Sequence, residues 1–380
     1  MNFDKNLENG LNWLINSGIQ NINDTELKGG FAAWYDQDNE IYSFTYSEIT
    51  GYALNLLVNL EKDFPLEGIH NSIELATNFL VDQAFDNKFN AVKCRYYEKK
   101  GWLNNYCTFD NAIVANALLN RYRLDGYEKA FIISEKIINT IIEKLSFKKG
   151  VYPRFISELN IYQDEELKWS TQWGSFLGKL AIPLLNIYDL TNENKYKDFA
   201  EKILDLIAQM QCDDGRFVTD RKTGSTFLHP HLYTVEGFIT AAIYLNNNNY
   251  MDVVERALIW ANSLRMENGG IAGFVTSDST KIMYDSPDIN SQYLRSALFS
   301  RNIKIKNKII IDRILESQVN NVTDIKSNGG FKAGTIWFYD QIMNEQKKSK
   351  NHINTWATIF ALNALFIKKL KSNLSPFSIC

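Results

Sequence analysis

Two kinds of apolar segment alternate along the chain. In one, apolar residues return every three or four positions with Lys, Glu and Asn between them, as at Leu7, Leu11, Leu14 and Ile15, or at Phe199, Ile203, Leu206, Ile207 and Met210. That spacing predicts a helix with one wet face. In the other, exemplified by residues 234–245 with Gly237, Ala241 and Ala242, the sequence is apolar nearly all round and predicts a helix buried on most sides. Helices of the first kind are expected over about 6–17, 69–84, 127–145, 196–210, 251–265 and 308–319.

A glycine-aromatic loop joins each wet helix to a buried one: Gly29-Gly30-Phe31, Gly101-Trp102, Gly150-Val151-Tyr152, Gly215-Arg216-Phe217, Gly269-Gly270 with Phe274, and Gly329-Gly330-Phe331. The buried helices align on a polar residue followed three positions later by a small or apolar one, beginning at Glu48, Asp110, Thr171, Thr234, Asp288 and Asn354. Successive starts are roughly sixty residues apart, the scale of a long helical hairpin with its loops. Six hairpins, outer helix then inner helix, predict an all-α (α/α)6 toroid filling residues 1–380 as one domain. Pro183 is expected to bend or end the third inner helix early, and Pro65 to mark the crossing into the second hairpin. The Lys/Asn-rich stretch 344–351 and the tail after Lys371 read as solvated and mobile.

Composition narrows the function classes. The net charge of −3 over 380 residues supplies no basic field for nucleic acid. No basic start precedes an apolar run at the N-terminus and no apolar stretch is long enough to span a bilayer, so a cytoplasmic protein without a transmembrane segment is expected. Cys94, Cys107, Cys212 and Cys380 lack metal-type spacing and read as free thiols; neither a metal nor a cofactor is expected. Nothing in the chain fixes an oligomeric state.

Closing six hairpins brings the inner-helix starts to one mouth. The polar residues there have two readings. Thr171, Thr234 and Asn354 are good helix N-caps, and Asp110 and Asp288 fit that role too, whereas Glu48 is least explained by capping. In the functional reading, Asp110 is general acid/base and Glu48 or Asp288 the second carboxylate, the pairing that glycoside chemistry uses. His229, His231, Tyr233 and Glu236 would then orient a substrate lying against Trp34, Tyr46, Trp102, Trp173 and Trp356. Arg95, Arg154 and Arg216 would suit a sugar bearing carboxylate or phosphate, although each alone also reads as a surface ion pair. The His229-Pro230-His231 pair has no clustered third ligand for a metal, and a loop histidine serves equally as a hydrogen-bonding residue.

Gln211-Cys212-Asp213-Asp214-Gly215-Arg216-Phe217 and Gly329-Gly330-Phe331 resemble the glutamine-glycine-aromatic repeats of terpenoid cyclases and protein prenyltransferases, which implies an α/α toroid. The acid motifs of the cyclases and the zinc arrangement of the prenyltransferases are absent, so the likeness covers the repeat and not the chemistry. Phe109-Asp110-Asn111-Ala112 is similar to the Asp-Asn segment opening an inner helix in unsaturated glucuronyl hydrolases, and implies that Asp110 is the acid/base of a six-hairpin glycosidase-like protein. Residues 46–52 and 229–237 look like toroid proteins of bacterial surface-polysaccharide gene clusters, implying glycan biosynthesis. The barrel is shared with N-acylglucosamine 2-epimerases, which keeps epimerisation open for His229, His231 and Glu236. A carbohydrate-active enzyme, hydrolase- or lyase-like or an epimerase, is thus set against a noncatalytic glycan-binding or assembly protein and an isoprenoid-type enzyme. An aliphatic pocket would favour the last, and one with carboxylates and Tyr hydroxyls a sugar.

Overall fold

Six outer helices carry their apolar stripe inward onto six inner ones, and the alternation runs unbroken through the computed structural model of the chain. The structure describes residues 3–379 apart from 24–25, 65, 104, 166–167, 283–285, 304–306, 335–350 and 371–374. The outer helices are α1 (Phe3–Asn16), α3 (Ile69–Asn78), α5 (Glu128–Thr140), α7 (Asn194–Ala208), α9 (Asn248–Asn262) and α11 (Asn307–Leu315). Between them fall the inner helices α2 (Ser47–Leu60), α4 (Thr108–Asp125), α6 (Ala181–Thr191), α8 (Leu228–Tyr244), α10 (Pro287–Ala297) and α12 (Thr355–Leu370). α3 and α5 run on as π-helical turns, Phe79–Ala84 and Ile141–Leu145. Each inner helix packs on its neighbours, and α12 returns to α2, so the architecture is an (α/α)6 toroid.

Two kinds of rivet fasten the ring, one joining hairpin to hairpin and one tying a loop to its own inner helix, and both are side chains satisfying backbone groups that no helix can use. The first is a glutamine just past an outer helix. Gln20 Nε2 donates to Gly29 O (3.1 Å) and to Ser72 O of α3 (3.0 Å); Gln211 Nε2 bridges Gly215 O and Val253 O of α9; Gln318 Nε2 bridges Gly329 O and Asn6 O of α1. The loop glycine follows from the same closeness: a Cβ on Gly29, whose φ is +96°, would lie 1.9 Å from Leu75 O. The second rivet is the fourth residue of an inner helix, which accepts the loop N–H. Thr50 takes Phe31 N, Asn111 takes Val92 N, His231 takes Phe217 N, Asn290 takes Ile271 N and Thr358 takes Phe331 N.

The loops at the mouth pair into short antiparallel ribbons between successive hairpins. Thr45–Tyr46 pairs with Arg95–Tyr97, Asn105–Cys107 with Arg154–Ile156, and Thr226–Phe227 with Phe274–Val275. Trp34–Asp36 pairs with His352–Asn354 across the seam between the last hairpin and the first.

Several sequence expectations are corrected here. α8 begins at Leu228, six residues before the expected start at Thr234, so His229-Pro230-His231 is helix and not loop. Pro183 neither bends nor ends a helix: α6 starts at Ala181 after a 3-10 turn, Ser175–Leu180, and Pro183 sits in its first turn. Pro230 in α8 and Pro287 in α10 do the same. The reason is common to the three, since the first N–H groups of a helix have no intrahelical partner to lose. Of the expected N-caps, Asn354 does cap, its Oδ1 accepting from Ala357 N (2.9 Å). Thr234 lies within α8 and bonds back to Pro230 O, and Thr171 ends a short 3-10 turn.

Of the tail expected to be solvated and mobile, residues 371–374 lie outside the described residues, and the part that follows them is not solvated. Pro376–Ser378 plugs the ring opposite the mouth, with Phe377 and Ser378 buried. Asn116 and Asn120 donate to Phe377 O, Asn363 to Ser378 O and Thr240 to Pro376 O. Pro65, Cys380 and nearly all of the 344–351 stretch lie outside the described residues.

Candidate active site

Numbering each inner helix from its first residue makes the mouth intelligible. The second positions are Glu48, Phe109, His229, Asp288 and Trp356, and Asp110 is the third residue of α4. With the ribbon residues Tyr46, Arg95, Cys107 and Arg154, all but Asp288 line a cavity of about 450 Å³. Trp169, Phe176, Tyr233 and Lys168 complete its wall. A groove of about 600 Å³ between residues 15–23, 42–45 and Ile325–Lys326 has, among the described residues, only Glu98 and Lys326 as charged lining groups and no pair of acids.

The floor carries two buried carboxyls. Glu48 is 6 % and Asp110 5 % exposed. Tyr46, one residue before α2, accepts from Arg95 Nη2 (3.2 Å), and its hydroxyl favours the ionised form of both carboxyls. Burial raises the Glu48 pKa to about 8, with the charge of Asp110 adding to it and Tyr46, Arg95 and Lys179 opposing. Burial also raises the pKa of Asp110, against Arg95, the Cys94 thiol and Tyr46. Both acids sit in first helical turns, where the helix dipole favours the anion by ~0.3–1 kcal/mol. A rise from 4.5 to about 8 corresponds to about 5 kcal/mol. Desolvation and mutual repulsion therefore win. Asp110 Oδ2 is buried without a hydrogen-bond partner.

Next to this pair, the half-buried ring of His229 packs on Tyr233 (4.4 Å between centroids) and Phe360 (5.9 Å), with Nδ1 3.4 Å from Asp288 Oδ2. Burial lowers the His229 pKa, and Asp288 pulls the other way. Asp288 accepts a hydrogen bond from Ser286 Oγ and belongs to His229 and not to the Glu48–Asp110 pair. Cys94 Sγ, Cys107 Sγ and a carboxylate oxygen of Asp110 lie within 4.8 Å of one another, the donor types of a zinc site. In the structure Cys94, Cys107 and Cys212 are free thiols, and Cys94 Sγ accepts from Cys107 N (3.2 Å).

The remaining candidates from the sequence are placed elsewhere. His231 is fully buried behind the cavity as the α8 rivet, its Nε2 donating to Ala257 O (3.3 Å). Glu236 lies beneath the cavity, locked between Lys179 Nζ (2.7 Å) and Arg295 (2.5 Å), with all three side chains at most 1 % exposed. Trp34 stacks on His352 in the seam, Trp102 stacks on Phe79 under Lys93, and Trp173 covers Gly150. Arg216 stays with Asp214 in its own loop. The sequence reading missed Lys168, Trp169 and the two cysteines. Their signal was weak, because the third hairpin departs from the repeat and Cys94 and Cys107 meet only through the ribbons.

No protein-family model matches the chain, and no curated protein does. Solved structures do. A sugar epimerase from a ruminal bacterium superposes with a TM-score of 0.77 at 11% identity, covering 98% of this chain and 99% of that one. The cellobiose 2-epimerase of Bacillus thermoamylovorans B4167 gives 0.74 at 14% identity over 97% and 100%. The unsaturated glucuronyl hydrolase of Bacillus sp. GL1 gives 0.72 at 11% over 99% of each chain. These are six-hairpin glycosidase-like toroids, and the likeness is one of fold. Among the described residues no helix is long and apolar enough to cross a membrane.

Proposed function

We propose that the chain is a carbohydrate-active enzyme in which Glu48 and Asp110 carry out acid/base chemistry on a sugar at the mouth of the toroid. The observation that carries this reading is the buried Glu48–Asp110 carboxyl pair beside Tyr46 on the cavity floor, where burial raises both acids and lifts Glu48 to about 8, so that Glu48 keeps its proton near neutral pH. Arg95 faces Asp110 and favours it as the ionised member, so Glu48 donates the proton and Asp110 takes one from water or substrate. Among the described residues neither acid is held in an ion pair, which speaks against a purely structural role. A wall of Trp169, Trp356, Tyr46 and Tyr233 interrupted by charged groups suits a sugar better than an isoprenoid chain. Fold relatives described as sugar epimerases and a glucuronyl hydrolase support the same class.

The test is turnover of an oligosaccharide and glycoside panel by wild type, Glu48→Gln and Asp110→Asn. Each substitution keeps size and removes the acid, so each abolishes turnover with little loss of Tm. Retained turnover in Asp110→Asn, or a loss of Tm alone, would make the aspartate a structural group.

A second reading, epimerisation, is favoured by His229, which burial holds neutral and Asp288 faces at Nδ1. A neutral imidazole next to the cavity is a competent base for a C–H proton. Reactions in D2O separate the two: epimerisation leaves deuterium on carbon in the product, and hydrolysis does not.

A further inference from the structure

Arg95, Arg154 and Lys168 come from separate stretches of chain and converge on one side of the cavity. The Arg95 guanidinium lies over the rings of Phe44 (5.2 Å) and Tyr46 (4.5 Å). Arg154 is fixed by the pairing of its strand with Asn105–Cys107; its Nη2 is 3.2 Å from Glu165 Oε2, and its Nε is buried without a partner. Among the described residues no carboxylate lies within salt-bridge distance of Arg95 or Lys168. Crowding at the mouth, and after it the charges of Arg95 and Arg154, lower the Lys168 pKa, while Cys107 and Asp110 oppose. Three cations that repel one another inside a protein of net charge −3 need a reason to be together.

Charge balance supplies one. Among the described residues, the three cations face two carboxyls in the cavity wall, Glu48 and Asp110, while Glu165 is held by Arg154 outside it. The cavity keeps a positive surplus on the Arg154–Lys168 side and its negative charge on the floor. An uncharged molecule gains nothing from that separation, whereas one with an anionic end is oriented by it. We propose that this corner is an anion subsite, and that the sugar carries a carboxylate or phosphate seated between Arg154 and Lys168. Resting on the reading of the cavity as a substrate site, this assigns the orientation. The planar guanidinium presents paired N–H donors to the anion, Lys168 adds a point charge, and the uncharged part of the ring falls over Glu48 and Asp110 against Trp169 and Trp356.

Isothermal titration of the full chain with D-glucuronate, D-glucose 6-phosphate and D-glucose tests the subsite. At least one anionic sugar binds about ten-fold or more tighter than glucose, and the preferred anion tells carboxylate from phosphate. Lys168→Ala, at an exposed position where folding is not at risk, weakens that binding by about ten-fold or more, Lys168→Arg retains it, and added salt weakens it. Asp110→Asn and Glu48→Gln leave the cations in place and bind the anion at least as tightly while turnover is lost, which separates this subsite from the acid/base reading. Equal binding of the three probes, no binding of either anion at millimolar concentration, or an unchanged affinity in Lys168→Ala would overturn it.

Discussion

Both nitrogens of the His231 ring are engaged by backbone: Nδ1 accepts from Phe217 N, and Nε2–H donates to Ala257 O. A second proton would have to go on Nδ1, opposite an N–H donor, in a fully buried position. Burial accordingly lowers its pKa from 6.5 to about 4, with the Ala257 bond and Asp214 opposing and Arg216 assisting. Because the folded pKa lies below the unfolded one, this contribution to stability is fully present above pH 6.5 and is lost as pH falls through about 4. It amounts to about 3 kcal/mol. Urea midpoints between pH 7 and pH 4 should therefore fall more steeply for wild type than for His231→Asn, and parallel curves would show that the histidine is not held neutral. Glu48 has the opposite sign and a different readout. Its acid form is needed for the reaction, so kcat/KM on a substrate found by the panel falls as pH rises through about 8. From the sequence the two histidines were indistinguishable. What separates them is helix position, second against fourth, and that became visible only once α8 was seen to start before the proline and not after it.

At the scale of elements, the inner ring is braced by one buried carboxylate. Glu236 of α8 holds Lys179 of the 3-10 turn on one oxygen and Arg295 of α10 on the other. The chain comes close enough for this because Gly237 faces Gly178, where a Cβ would lie 2.1 Å from the carbonyl oxygen. Glu236→Gln would leave two cations uncompensated in the core, at a cost of roughly 3–5 kcal/mol. Urea denaturation should show that loss, whereas the substrate-orienting role expected from the sequence would show as an altered KM at unchanged stability. The helices themselves were legible. Five of the six outer helices were placed within a few residues, because stripes such as Leu7, Leu11 and Leu14 are read by one large surface and tolerate no slip of register. The inner helices were harder. Apolar on all sides, they carry no stripe to fix a start, and aligning them on Glu48, Thr234 and Asn354 put unlike positions together. The polar fourth residues Thr50, Asn111, His231, Asn290 and Thr358 were the true repeat. They escaped notice because the shared feature is an acceptor for a loop N–H and not a residue type. The paired carboxyls were named from sequence, whereas the cations beside them depend on ribbons that bring Arg154 opposite Cys107.

For the whole molecule the decisive contacts are those that join the last hairpin to the first. Gln318 binds Asn6 on the carbonyl and on the side-chain amide, Trp13 Nε1 donates to Lys326 O (2.8 Å), and the Trp34–Asp36 ribbon meets His352–Asn354. Gln20 and Gln211 make the equivalent bridges inside the ring, so Gln318→Ala and Gln20→Ala remove similar bonds at different places. Contacts spanning some three hundred residues form late, after the chain entropy of closing the ring has been met, and so lie largely outside the folding transition state. Gln318→Ala should therefore act almost wholly on the unfolding rate, and stopped-flow refolding and unfolding limbs measure the partition. The seam also matters before folding is complete. α1 packs chiefly on α12, the last helix of the chain, with a Cβ on Gly10 only 2.5 Å from Leu362. During synthesis Leu7, Leu11 and Leu14 emerge before the other helices of the toroid and find their cover only when α12 has followed, so an apolar face stays open while the helices between are made and makes the nascent chain a natural client for chaperones.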